Sequence, residues 1–211
     1  MKLLIIICSF LIGCSSKIAL ADASNNLQYR LNQVNSFHVF FSQTVTDTNG
    51  VNIHNGKGEL WVKHPNLFNW HIQLPDENFI ISDGKNLWFY NPYISQVSVN
   101  FLQNMIDNTP FILFTRNKKS DWKNYTIKQQ GDQFEVIPKA NDTNLKKFTI
   151  TVTSLGIIRK FSTIEQDGQC NSYQFDNQNN GEINSDKFII KFPKWVTVDD
   201  QREYNSDHFS E

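Results

Sequence analysis

Apolar and polar side chains alternate along most of the chain from residue 37 onward. A two-residue period places one side chain in a core and the next in water, as in a half-buried strand. Phe148, Ile150 and Val152, each followed by a threonine, are the clearest case. Turn residues separate the runs, and Asp83-Gly84 is a strong hairpin signal. The pattern predicts strands at 37–45, 58–62, 67–73, 78–82, 86–91, 96–100, 125–129, 133–138, 148–152, 157–166, 170–175 and 187–192.

Consecutive antiparallel strands of this kind form one large curved sheet or a barrel. Neither an internal repeat nor a linker divides the series. We therefore expect a single domain of the α+β class that is mainly β. The tail at 203–211 is polar, and we expect it to be disordered.

Two segments depart from this alternation. Leu27, Leu31 and Val34 recur at helical spacing, which predicts an amphipathic helix over 27–34 with Asn25 or Asn26 as its cap. The second departure begins with a piece of helical length at 101–106.

A short, unusually apolar helix is predicted after that piece. Thr109 is a suitable cap and Pro110 suits the first turn. The next four residues are apolar around most of the helix: Phe111, Ile112, Leu113 and Phe114. Such a helix must be covered on several sides or must itself be a moving cover.

Residues 59–75 carry the densest group of large apolar side chains. Trp61, Leu67, Phe68 and Trp70 fall within ten residues, without ionisable groups in a catalytic pattern beside them. The chain also has 17 Phe residues. An aromatic-rich β core accounts for these observations, and so does a surface that holds an apolar ligand.

The N-terminus has the pattern of an export signal. Lys2 supplies the charge, residues 3–12 are apolar, and Ala19-Leu20-Ala21 fits a cleavage site, so we expect cleavage after Ala21 and a mature domain over 22–211. The segment 11–14, which ends at Cys14, also fits a lipoprotein signal. In that alternative Cys14 is acylated and becomes the first residue of an anchored protein.

Composition argues against other classes of function. The formal net charge is −1 and no basic block is present, so a nucleic-acid partner is not expected. Removal of the signal would leave Cys170 as the one cysteine, without a disulfide. The five histidines form no zinc motif, and no phosphate loop or nucleophile elbow occurs. We expect neither an enzyme nor a metal or other cofactor.

Five segments in chain order carry a family resemblance. They are LWVKHPNLFNW (60–70), SDGKNLWFYNP (82–92), NTPF (108–111), SDW (120–122) and VTVDDQR (196–202). Each is weak alone, but together they span most of the mature chain. With these segments the sequence resembles the LolA family of periplasmic outer-membrane lipoprotein carriers.

The resemblance implies an unclosed antiparallel β half-barrel, with a lid of short helices over a hydrophobic cavity. It also implies a monomeric periplasmic chaperone that binds the acyl chains of lipoproteins. The partners it implies are an inner-membrane ABC exporter that supplies the cargo and an outer-membrane receptor that accepts it.

The same resemblance implies roles for particular residues. We expect one face of each of two strands to line the cavity, and Pro110 with Phe111–Phe114 to form the lid. The expected cavity residues are Phe37, Val39, Phe41, Phe68, Trp70 and Ile72. Family members typically carry Arg where this chain has His64, and that Arg hydrogen-bonds the lid. His has fewer donors and loses its charge above its pKa, so we expect His64 to hold the lid more weakly, with easier loading and harder release. In a second interpretation His64 is surface-exposed, and Lys63 or a water takes over that hydrogen bond.

Two rival functions remain at this stage. One is a lipid-anchored lipoprotein acceptor of the same fold, which requires Cys14 as the mature N-terminus. The other is a periplasmic sensor that detects lipid or stray lipoprotein. A sensor needs a further domain for its signalling partner, and the length left after residue 21 does not provide one.

Overall fold

One twelve-stranded sheet forms the body of the protein. The computed structural model describes residues 16–105, 110–140 and 143–202, and side chains from Ala23 onward. The strands are β1 (Ser36–Thr46), β2 (Asn52–Lys63), β3 (Leu67–Leu74), β4 (Asn78–Asp83), β5 (Asn86–Asn91), β6 (Gln96–Phe101), β7 (Tyr125–Gln130), β8 (Gln133–Pro138), β9 (Leu145–Val152), β10 (Ile158–Glu165), β11 (Cys170–Asn180) and β12 (Thr197–Asp200). The helices are α1 (Ser16–Leu31), α2 (Pro110–Arg116) and α3 (Lys119–Trp122), with 3₁₀ turns at Leu102–Met105 and Ser185–Phe188.

The sheet is unclosed. Its strand order is β12-β6-β5-β4-β3-β2-β1-β11-β10-β9-β8-β7, so β12 and β7 lie at opposite edges. Neighbours pair antiparallel except β12, which pairs parallel with β6. The mainly β, single-sheet architecture expected from the sequence is confirmed.

The alternating pattern accounts for which face is buried. Phe148, Ile150 and Val152 of β9 are all buried, and Val136 of β8 pairs with Phe148. Leu27 of α1 is also buried, and α1 packs against β7 and β9. The apolar core therefore lies on one face of the sheet, beneath α1 and α2.

Gly58 allows a close approach within the sheet. It lies on β2 opposite Phe41 of β1 and Ile72 of β3. A Cβ atom there would lie 2.0 Å from the main-chain oxygen of His71 and 2.8 Å from Cζ of Phe41. Only glycine therefore fits at this position of β2, between β1 and β3.

The hairpin after β4 is held by Asp83. Its carboxylate accepts hydrogen bonds from the main-chain N–H groups of Lys85 and Asn86 and from the Trp88 indole. Burial opposes ionisation of Asp83, but these hydrogen bonds outweigh it and lower its pKa. Gly84 supplies the left-handed residue of the turn, with φ of +95°.

Three sequence predictions are corrected. The strand predicted at 187–192 is wrong: Ser185–Phe188 forms a 3₁₀ turn, in which the Asn184 side chain accepts from the Asp186 N–H, and the strand comes later, at β12. The helix predicted at 27–34 runs over Ser16–Leu31 instead, although Val34 is buried beside it. Of the helical piece predicted at 101–106, Phe101 is the last residue of β6 and Leu102–Met105 is a 3₁₀ turn, while residue 106 lies outside the described residues.

Other predictions lie outside the described residues. Thr109, Cys14 and the tail at 203–211 fall in this group, and so does most of the expected signal. Among the helices the structure describes, none is both long and apolar enough to cross a membrane.

Candidate functional site: an apolar cavity beneath α2

Aromatic side chains from distant strands meet on the core face of the sheet. Trp70 of β3 and Tyr173 of β11 have ring centroids 4.9 Å apart. Two strands, β2 and β1, lie between β3 and β11, and neighbouring strands are spaced about 4.8 Å apart. The contact therefore requires a strongly curved sheet, and this curvature gives the face its concave shape.

A cavity of about 220 Å³ opens on this concave face. Its apolar walls include Phe68, Trp70 and Ile72 from β3, Phe161 from β10, and Pro110 and Phe111 from α2. This volume is below the roughly 300–1,000 Å³ typical of ligand pockets. The cavity is therefore too small for a large ligand while α2 stays in this position.

An open groove continues the cavity over strands β4 to β6. It has a volume of about 390 Å³ and is lined in part by Phe89 and Ile94. Ile72 and Ile80 belong to both the groove and the cavity. The two spaces therefore meet at these apolar residues, one covered and the other open, and the open groove also carries the polar side chains of Asn78, Asn91, Gln96 and Ser98.

The six residues expected to line a cavity divide into two groups. Phe68, Trp70 and Ile72 lie on its wall. Phe37, Val39 and Phe41 are buried in the same core but are not part of that wall. Phe41 lies directly behind it, with its ring 5.3 Å from that of Trp70. Contact of any of the six with cargo stays a prediction.

The segment expected to be a lid is the helix α2, and its four apolar residues, Phe111–Phe114, are all buried. The Phe111 ring contacts Phe68 at 5.0 Å and Trp70 at 4.3 Å, both edge to face. Phe114 contacts Phe161 at 5.5 Å on the opposite side of the cavity. The helix thus bridges the concave face and covers the cavity with aromatic rings.

His64 lies at the C-terminal end of α2. Its Nδ1 atom is 2.6 Å from the main-chain oxygen of Thr115, and its own main-chain N–H donates to the oxygen of Asn35. Burial lowers the pKa of His64, although the hydrogen bond to Thr115 partly opposes this. The imidazole is therefore neutral at neutral pH, and Nδ1–H donates to Thr115. This geometry disfavours the alternative in which His64 is exposed.

Asn117 provides a second connection that sequence reasoning missed. Its side-chain amide donates to the Gln28 oxygen at 3.0 Å and to Asn32 Oδ1 at 2.8 Å. Its Oδ1 accepts from the Trp122 indole at 2.9 Å. The available signal was an asparagine just after a helix, where the left-handed conformation is common; its φ is +45°. Asn117 therefore joins α2 to both α1 and α3.

The wall formed by β10 and β11 was also missed. Thr163 and Asn171 face each other across these strands, and both line the cavity with Tyr173. Gln43 donates from Nε2 to the Tyr173 hydroxyl oxygen at 2.9 Å. The β10–β11 wall therefore brings polar groups into the cavity beside the aromatic rings of Phe161 and Tyr173.

The described residues contain no group of three or more His, Cys, Asp or Glu side chains that would hold a metal ion. The chemistry that this site supports is the burial of apolar surface.

Comparison with known proteins bears on this architecture directly. The family model described as outer membrane lipoprotein carrier protein LolA matches residues 32–191. The chain belongs to this family. The matched region includes the cavity, α2, His64 and Asn117, and the resemblance drawn from the sequence is confirmed.

Relatives within the LolA family are similar over their full lengths. The outer-membrane lipoprotein carrier protein of Yersinia enterocolitica serotype O:8 / biotype 1B is 53% identical over 203 residues, which cover 96% of this chain and 100% of the relative. The protein of the same name from Yersinia pestis bv. Antiqua (strain Angola) is 52% identical over 202 residues, with the same coverage.

A solved structure shares the fold at low identity. An uncharacterized conserved protein from Thermus thermophilus superimposes with a TM-score of 0.56 at 9% sequence identity, covering 85% of this chain and 99% of that one. At this identity the likeness concerns the fold alone.

Proposed function

We propose that this protein is a periplasmic carrier that shields the acyl chains of lipoproteins from water between the inner and outer membranes. The observation that carries the proposal is the apolar cavity beneath α2, a helix that buries four successive apolar residues and is held at its end by hydrogen bonds. The relatives bear the name of outer-membrane lipoprotein carriers.

The energetics of acyl chains explain why such a cavity is useful. Each buried methylene is worth about 0.8 kcal/mol relative to water. A long chain therefore needs a continuous apolar path, and an empty path of that size left open would promote aggregation. In this proposal α2 covers part of the path when the carrier is empty and moves away when cargo enters.

The proposal extends to delivery. An inner-membrane ABC exporter supplies the lipoprotein, and an outer-membrane receptor accepts it. The carrier reaches the periplasm through an N-terminal signal cleaved after Ala21, and it works as a monomer. No ATP is used by the carrier; a hierarchy of affinities gives each transfer its direction.

His64 sets the ease of opening within this scheme. A neutral imidazole holds Thr115 through one hydrogen bond, whereas an arginine at this position would offer five donors and a permanent charge. We propose that this makes the empty carrier easier to open, which favours loading over release.

The experiment that tests this function is a release assay with spheroplasts that present a triacylated lipoprotein. The purified mature protein should release the lipoprotein into the soluble fraction as a one-to-one complex. Ile72→Asp should abolish release, because it places a charge on the wall shared by the cavity and the groove.

The matched control is Ile53→Asp, because Ile53 lies on β2 and is 56% exposed. This variant should release as much lipoprotein as the wild type. Failure of the folded wild-type protein to release lipoprotein would contradict the carrier function and favour an anchored acceptor.

A further inference from the structure

The indole N–H of Trp70 is buried without a hydrogen-bond acceptor. Trp70 is 6% exposed, and no acceptor for its Nε1 is found among the described residues. Three aromatic rings surround it, those of Phe41, Phe111 and Tyr173. An indole nitrogen is only a donor, and leaving such a donor unpaired in a core costs free energy. An apolar wall alone would not require tryptophan here.

Tyr173 brings a second donor to the same place. Its ring lies 4.9 Å from that of Trp70, and both side chains line the cavity. The hydroxyl oxygen accepts from Gln43, and no acceptor for its proton is found in the described part of the chain. Burial raises the pKa of Tyr173 to about 12, so the hydroxyl keeps this proton at every physiological pH.

The chemistry of the residues that line the cavity therefore favours one kind of ligand group. It offers two neutral donors beside apolar walls, and none of its lining residues is a lysine, arginine or histidine. A free carboxylate would be buried there without a counter-charge, which is unfavourable. A neutral carbonyl oxygen suits the donors, since it accepts two hydrogen bonds and brings no charge.

We propose that Trp70 and Tyr173 form a carbonyl-binding site, which holds the ester or amide carbonyl oxygen of an acyl chain once α2 opens. This inference rests on the proposed carrier function. Because Phe111 of α2 packs against Trp70 in the closed form, opening of the helix uncovers the indole. The site fixes how deep an acyl chain enters, with its methylenes along the apolar path and its carbonyl at the two donors.

The test compares two lipopeptides that differ only at the linkage. One carries two palmitoyl esters on a glyceryl-cysteine peptide, and the other carries hexadecyl ethers, whose oxygens are poorer acceptors. Wild-type protein should bind the ester about fivefold to thirtyfold more tightly, the worth of about one to two neutral hydrogen bonds. Trp70→Phe and Tyr173→Phe should each reduce this preference.

The matched control is Phe161→Leu, which alters the cavity wall without removing a donor. It should weaken the binding of both lipopeptides by the same factor and keep the preference for the ester. Because the ester and the ether are compared on the same variant, any general weakening of binding that Trp70→Phe causes through packing cancels in their ratio.

Infrared spectroscopy gives an independent readout. With ¹³C at the ester carbonyl, binding to wild-type protein should shift the carbonyl stretch to lower frequency than in an alkane solvent, and Trp70→Phe should reverse part of the shift. Equal binding of ester and ether, or an unshifted stretch, would overturn the carbonyl site and leave the carrier function standing. Binding of neither lipopeptide would overturn both.

Discussion

The Nδ1 atom of His64 donates a hydrogen bond to the main-chain oxygen of Thr115 across 2.6 Å. These residues are far apart in the sequence, one just after β2 and the other near the end of α2. The contact joins the sheet to the helix that covers the cavity. Any motion that uncovers the cavity by displacing α2 from the sheet must break it.

Replacing His64 should change how often α2 opens. His64→Ala removes one neutral hydrogen bond worth about 1 kcal/mol, so we expect roughly fivefold more frequent opening. His64→Arg should reduce opening and slow loading, because it adds donors at the same position. Hydrogen exchange of the amides in Pro110–Arg116 measures both changes. A His64→Arg protein with unchanged exchange and unchanged transfer would contradict the role of His64.

Burial of His64 should also make stability depend on pH. The folded-state pKa of His64 is lowered by burial from its usual value of 6.5. As the pH falls through that value, the unfolded chain takes up the proton first, so stability is lost below about pH 6.5. The free energy of unfolding in urea should therefore fall less for His64→Gln than for the wild type between pH 7 and pH 5.

Asp83 provides an internal comparison for this titration. Its pKa is lowered, so its stabilising contribution is present above the usual carboxyl value of 3.8 and is lost as the pH falls through the lowered pKa. The Asp83 contribution therefore begins to be lost only below about pH 3.8, whereas that of His64 begins to be lost below about pH 6.5. Parallel pH profiles for the wild type and His64→Gln above pH 5 would show that His64 is not the group responsible.

Asn117 should hold the other side of α2. Asn117→Gly keeps the left-handed backbone without strain but removes the hydrogen bonds to Gln28, Asn32 and Trp122. We expect the free energy of unfolding to fall by about 1–3 kcal/mol and proteolysis around α2 to become faster. The control is Asn177→Gly, which replaces another asparagine at positive φ, at an exposed position. Equal proteolysis rates for the two variants would contradict this role.

Gly58→Ala should destabilise the whole sheet. The added methyl would lie 2.0 Å from the His71 oxygen, which is main chain and cannot move independently. We expect the free energy of unfolding to fall by about 3 kcal/mol, which is at the upper end for overpacking. Gly181→Ala is the control, since nothing lies within 4 Å of the added atom. Chemical denaturation measures both, and a near-neutral Gly58→Ala would refute the close approach.

Local patterns predicted the strands and the apolar cover because the buried face repeats every second residue. β2 was predicted only from Gly58, since its first residues are exposed and mostly polar and pair through the main chain with β1. The segment at 187–192 was misread as a strand for the converse reason: it is rich in apolar residues, but the turn Ser185–Phe188 contacts β3 and β4 through the buried Phe188 without joining the ladder.

The residues of the site also divide into those that a local sequence pattern predicted and those that it did not. Trp70 and Ile72 were found because one strand carries them with Phe68. Tyr173 and Phe161 were missed because they reach the cavity only through the curvature of the sheet, which brings β10 and β11 opposite β3. Asn117 was missed because its role depends on contacts with Gln28 and Asn32, which are distant in sequence.

The most direct measurement of the central claim is photocrosslinking from the cavity wall in living cells. A benzophenone side chain at Ile72, on the wall shared by cavity and groove, should crosslink to the acylated part of a lipoprotein. The same group at Ile53 should not. Equal crosslinking from both positions, or none from Ile72 in a folded protein, would contradict acyl-chain binding beneath α2.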